Sequence, residues 1–171
     1  GSLYQGQQDW IDPAWKGRLI MADTTKDISR IYEAGVEPVY NDHALEATST
    51  VYEGAVVTAD PTANTVGAYA DADVFVGFAD TKCDNSAGAA GDRNVHVRSR
   101  GMVKLTVTDS AGTPLGTNID LGDAIYSSDN QTFTNDATGT LKIGTVHRVV
   151  STSAADAVCM VYFEAAGLRS V

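Results

Sequence analysis

From Thr48 onward the apolar positions recur in short alternating runs of about five to eight residues, broken at short intervals by Gly, Pro, Asn and Asp. That texture predicts a sandwich or barrel of antiparallel strands rather than βαβ units. Residues 50–58 read as a strand pair or kinked strand with Gly54 at the kink, and Asp60-Pro61 with Asn64 as the following turn. Val74, Val76 and Phe78 are expected to face one way and Phe75 the other. Residues 84–92, DNSAGAAGD, read as a flexible small-residue loop; no Lys-Ser or Lys-Thr follows, so its glycines do not make a phosphate cradle.

The next stretch is two-sided. Val95 and Val97 share one parity, and Val103, Leu105 and Val107 line the core. His96, Arg98, Arg100 and Lys104 share the opposite parity, unless Gly101 shifts the register. Such a basic stripe is either a solvated outer face that blunts aggregation or a surface for docking an acidic partner. Asp109 to Pro114 turns the chain, Leu121-Gly122-Asp123 enters the last block, and Ile125-Tyr126 with Thr132-Phe133 flanks SSDNQ, a hairpin turning at Asp129-Asn130. Leu141 and Ile143 run into Gly144, after which Val146 and Val149 lose strict parity, as at a bulge. Residues 158–163 are apolar on both faces and read as a central strand.

The segment before Thr48 has neither steady alternation nor a long helical period. We read residues 1–47 as an N-terminal arm and 48–171 as the β domain, an all-β small barrel or sandwich whose arm contains at most short helices. Asp12-Pro13 can start one helical turn, and residues 26–34 form the better short helix, with Ile28, Ile31 and Tyr32 on one face and Gly35 as the left-handed stop. Tyr4, Trp10, Trp15, Tyr32 and Tyr40 either cap the open end of the chain's own core or anchor the arm on a neighbouring subunit. Gly1-Ser2 has the look of a cloning scar and Met21-Ala22-Asp23 that of a natural start, so residues 1–20 are leader, linker, docking peptide or cloning-derived.

Composition narrows the function. A net charge of −10 over 171 residues disfavours direct binding to nucleic acid, which needs cations to displace phosphate counterions. No apolar run approaches the roughly 18 residues needed to cross a bilayer. Cys83 and Cys159 are far apart and belong to no CxxC pair; geometry that sequence does not contain decides whether they bridge, and the plainer reading, two free thiols packed as small hydrophobes, fits synthesis in a reducing cytosol. The common catalytic signatures are missing together: no GxSxG, HExxH, Walker loop or GxGxxG. His43, His96 and His147 are scattered singly, and the carboxylates Asp71, Asp73, Asp80 and Asp84 lack the spacing of a calcium loop. We therefore expect no catalytic residue, no metal site and no cofactor, although a pair of hydrolytic carboxylates is defined by a distance that sequence does not contain.

A family likeness adds a specific expectation. The succession EGAVV (53–57), FVGFA (75–79), NSAGAAGDRNVHVRSRGMVKLTV (85–107), LGDAIYSSDNQTFT (121–134), KIGTV (142–146) and CMVYFEA (159–165) resembles the capsid decoration, or head cement, proteins of tailed bacteriophages. Gly122-Asp123-Ala124-Ile125-Tyr126 and Ile143-Gly144 stand where that family repeats a glycine-aspartate strand and an isoleucine-glycine strand. The resemblance covers about the last two-thirds of the chain and implies a non-enzymatic virion protein on the outer capsid surface. Such a protein binds the major capsid protein, commonly as a homotrimer that clamps neighbouring subunits. Composition and parity, not the family motif, nominate Tyr4, Trp10, Trp15, Tyr32, Arg98, Arg100 and Lys104 for those contacts. The alternative is a carbohydrate- or host-surface-binding β module of a phage particle.

Overall fold

The β-branched and aromatic runs fold as strands throughout the described part of the chain, residues 23–69, 74–108, 119–137 and 141–165 of a computed structural model. Those residues contain no helix. The elements are β1 (Val39–Ala44), β2 (Ser49–Val51), β3 (Val56–Asp60), β4 (Thr65–Ala68), β5 (Val74–Ala79), β6 (Cys83–Asn85), β7 (Asn94–Thr108), β8 (Ala124–Ser127), β9 (Phe133–Thr134), β10 (Leu141–Thr152) and β11 (Asp156–Glu164). The turns expected at Asp12-Pro13 and Asp109 to Pro114, and the carboxylates Asp71 and Asp73, lie outside the described residues.

Five strands close a barrel. β7 pairs with β11, β11 with β10, β10 with β8 and β8 with β9, all antiparallel, and β9 returns to β7 in parallel through Val107 and Thr108. Closure leaves no open edge within the ring, the usual source of sheet aggregation. Because β7 has 15 residues, its first half outruns the barrel and carries a second sheet region: β1 lies on one edge, and β5, β3 and β4 follow from the other. β2 and β6 form a separate two-stranded ribbon.

This arrangement makes two cores. Phe75, Phe78, Val103, Leu105, Ile125, Phe133, Ile143, Cys159, Val161 and Phe163 are among the residues that fill the barrel, while Leu45, Val51, Val57, Val66, Val76, Val95 and Val97 help form a smaller core beneath β1 to β6. β3 and β5 partition them, Val56 facing the barrel and Val57 the smaller core. The expectation that Phe75 and Phe78 point to opposite faces is corrected. Val57 pairs with Gly77 and Thr58 with Phe75, so Val76 is an extra residue on β5. A bulge resets the period of two, and the Phe75 and Phe78 rings meet edge to face at 6.1 Å. Gly77, with φ at +136°, provides backbone freedom there.

Other expectations hold. The hairpin between β8 and β9 turns at residues 128–132, where the buried Asp129 carboxylate accepts from the Gln131 and Thr132 amides at 2.8 and 2.7 Å. β10 slips register three times, first between Lys142 and Gly144. β11 is central, with β7 on one side and β10 on the other. Both cysteines are free, Cys159 in the barrel core and Cys83 at the edge of the smaller one.

Two local readings are revised. Residues 26–34 form no helix, and residues 31–33 run along the edge of β7: Lys104 N–H donates to Ile31 O and Glu33 N–H to Met102 O, each at 2.9 Å. A helix this short has little stability of its own, whereas the β7 edge offers its backbone ready partners. The consequence is alternation, with Ile31 61% exposed and Tyr32 turned inward beside Phe163. The 84–92 loop is likewise more structured than a flexible connection. Buried Asn85 donates through Nδ2 to Glu46 O and Ala89 O, both at 2.9 Å, and Asp92 Oδ2 accepts from Ala89 N–H.

Candidate functional site

Two of the residues nominated from sequence, Tyr32 and Arg98, meet at the seam where the N-terminal segment joins β7. Residues 23–33, hereafter the strap, begin at the β8–β9 hairpin, where Thr24 N–H donates to Asn130 Oδ1 at 2.8 Å and Asn130 N–H to Asp23 Oδ1 at 3.3 Å. The strap then crosses the turn before β3: Ile28 N–H donates to Glu53 O, and Arg30 Nε to Gly54 O at 2.9 Å. It finishes on the edge of β7, continuing the line that β1 begins. The partners along this path are turn residues at Asn130, Glu53 and Gly54 and then the backbone of β7.

Side chains of alternating parity then interlock. Arg98 lies with its guanidinium carbon 3.9 Å from the Tyr32 ring centroid and 5.7 Å from that of Tyr40, and its Nη1 donates to the Tyr40 hydroxyl at 3.4 Å. Tyr40 stacks on His96 at 5.2 Å with the planes 5° apart, and His96 Nδ1 meets Asp42 Oδ1 at 2.7 Å. Two residues before Tyr32, Arg30 sits over Phe133 and Phe78 at 5.1 and 5.7 Å. Cation–π contacts gain strength when the cation is desolvated, and these two arginines are both half-buried. Arg30 Nη2 and Arg98 Nε are buried without a hydrogen-bond partner among the described residues.

The electrostatic signature follows. Burial foremost pushes the Tyr32 hydroxyl up to about 12, with the nearby Arg98 and Arg30 opposing it. Burial pulls Arg30 below its ordinary value. Beside the seam opens a cleft of about 130 Å³ lined by Ile28, Ser29, Arg30 and Tyr32 from the strap and by Glu53, Gly54, Ala79 and Asp80 from the sheet.

The seven nominated residues are thus placed unequally. Tyr32 and Arg98 are in direct contact. Arg100 lies further along β7, where its Nε donates to the Tyr162 hydroxyl at 3.2 Å and that hydroxyl donates to Glu164 Oε2 at 2.9 Å; the Tyr162 bond also raises the Arg100 pKa. Lys104 is exposed, and its recorded link to the strap is through the backbone. Tyr4, Trp10 and Trp15 lie outside the described residues. The expected parity of the stripe is present, since Val95, Val97, Ser99, Gly101, Val103, Leu105 and Val107 are all buried. Gly101 does not break it. His96, Arg98 and Arg100, however, each engage a partner within the chain: Asp42 and Tyr40 for His96, Tyr32 and Tyr40 for Arg98, and Tyr162 for Arg100.

Sequence reasoning missed Arg30, the Tyr40–His96 stack and the Arg148–Glu33 ion pair at 3.0 Å that ties the strap to β10. None has a spacing signal, because each contact joins segments far apart in the chain that strand pairing brings together. Chemically the seam is a fastening. Among the described residues no three His, Cys, Asp or Glu side chains gather as a metal site. Burial raises the Cys159 thiol to about 11 and also raises Cys83, so neither is primed as a thiolate. No protein-family model matches the sequence, and no curated protein matches it.

Proposed function

We propose that this chain is a structural virion protein that binds the assembled capsid of a tailed phage from outside and stabilises it as a cement, acting as a homotrimer that clamps neighbouring major capsid subunits. The observation that carries this reading is the rooting of the N-terminal segment. Its aromatic-bearing first residues lead into a strap held at the hairpin by the Thr24–Asn130 and Asn130–Asp23 hydrogen bonds and along β7 by backbone bonds. An arm held at both the hairpin and the β7 edge suits a clamp, because load reaching it is shared among several hydrogen bonds. The sequence likeness to head decoration proteins points the same way.

The physical basis is linkage. A ligand that binds the assembled lattice and not its separated subunits stabilises the lattice by about 2.7 kcal/mol at a free concentration of 100 Kd. Attachment through several arms multiplies weak contacts through effective concentration. Purified protein should co-sediment saturably with expanded phage heads and raise their disruption temperature. Removal of residues 1–20 should weaken that binding. Absence of co-sedimentation with any capsid, together with glycan-array binding, would replace the cement reading with a host-surface module.

A further inference from the structure

We propose that residues 23–33 are an exchangeable strap, able to leave the groove as a unit and seat in the same groove of a second copy of this chain. The inference does not rest on the capsid reading. It starts from the seam, where specific docking contacts and packing defects coincide. The contacts are directional: Thr24 on Asn130, Ile28 on Glu53, Arg30 on Gly54, Glu33 on Met102 and on Arg148. All of the acceptors and donors on the groove side belong to residues outside the strap, so a strap from an identical copy would meet the same partners.

The defects lie in the same place. The two arginine nitrogens buried without a partner among the described residues, Arg30 Nη2 and Arg98 Nε, both belong to this seam, and the 130 Å³ cleft opens beside it, lined in part by the strap itself. Unsatisfied buried donors and missing contacts lower the local cost of opening relative to the barrel. The ring does not depend on the strap, because it closes through β9 on Val107 and Thr108. Between the strap and β1 stands Ala34–Pro38, largely exposed, with Gly35 at φ +114° and a proline at its end. A short linker between a docked element and the body of a fold is the setting in which identical elements exchange between copies.

The Glu33–Arg148 pair, 3.0 Å long and partly exposed on both sides, supplies a test that leaves the core untouched. E33K and R148E each set like charges face to face in a closed monomer. Reciprocal exchange between the two variants restores an opposite-charge pair at both seats. Full-length E33K and R148E mixed in equal amounts under mild denaturant and returned to buffer should give, by native mass spectrometry, a mixed oligomer about two- to fivefold above its statistical share, the range an exposed pair supports. Monomers alone, or mixed species at the statistical share, would overturn the exchange. Hydrogen exchange on the wild-type chain provides the second reading: the Ile28 and Glu33 amides should be protected about tenfold less than the β11 amides. Equal protection would show that the strap opens only with the barrel, and would overturn it too.

Discussion

Replacing Gly54 by alanine tests how the strap is held. Gly54 has φ at +79°, and a methyl group built there would overlap the Ile28 carbonyl oxygen and lie 3.1 Å from Ile28 C and Cβ. The left-handed backbone costs a non-glycine residue about 1–2 kcal/mol, reduced by the roughly 0.4–1 kcal/mol gained from a stiffer unfolded chain. Relief of the overlap requires the strap to move away from the turn, which threatens the Ile28–Glu53 bond at 2.8 Å and the Arg30–Gly54 bond at 2.9 Å. Together these are worth about 2–4 kcal/mol, the second being charge-assisted. The expected loss is therefore about 3–5 kcal/mol in urea unfolding. Gly122→Ala is the control, since Gly122 has a similar φ of +87° with nothing within 4 Å of the added methyl; it should cost only about 1 kcal/mol. If the two variants lose the same stability, the strap does not press on Gly54 and the account of the seam is wrong.

Phe163→Ala should destabilise by about 3–5 kcal/mol, because the side chain is fully buried and its ring meets Phe78, Phe75 and Tyr32; a chemical denaturation midpoint unchanged from wild type would contradict that packing. Stability should fall as pH drops below about 6.5, since burial holds the His43 pKa below its ordinary value and the unfolded chain takes up that proton first. His43→Gln should flatten this limb of the pH–stability curve. A second decline belongs between about pH 4 and 2: the Ser86 and Thr50 hydrogen bonds hold Asp84 at about 2, so its contribution is present above the unfolded value and lost on acidification. Asp84→Asn should remove it. Thiol labelling of the native protein should modify Cys83 slowly and leave Cys159 untouched, with both reacting in denaturant; rapid labelling of Cys159 would show that the barrel core is open.

The β domain was legible because its signals are local. Alternation over 95–107, the Asp129-Asn130 turn and the two-faced run 158–163 each express a period of two or a turn chemistry within a few residues. Residues 26–34 misled for the opposite reason. Their apolar spacing fits a helix face, yet the outcome was decided by the β7 edge some 70 residues later, where Met102 and Lys104 offered unpaired backbone groups. β5 misled by one residue: a bulge at Val76 carries no sequence mark other than the glycine beside it, and it turned both Phe75 and Phe78 into the barrel core and Val76 into the smaller one. Of the candidate site, the stripe on β7 was readable by parity, but its meaning was not. Parity says that Arg98 and Arg100 share a face; it does not say that Tyr32 and Tyr162 will be there to engage them.

By itself the sequence determined that the chain is all-β, where most strands and turns lie, and that residues 158–163 sit centrally, because hydrophobic period and turn residues act over a few positions. Only the tertiary structure decided that β9 closes a five-stranded ring, that two cores share one partition, and that the N-terminal segment lies as a strap with Arg30 and Arg98 clamped on aromatic rings. Those outcomes depend on pairings between residues far apart in the chain, whose free energies are set by which edges and faces remain available after the local elements have formed.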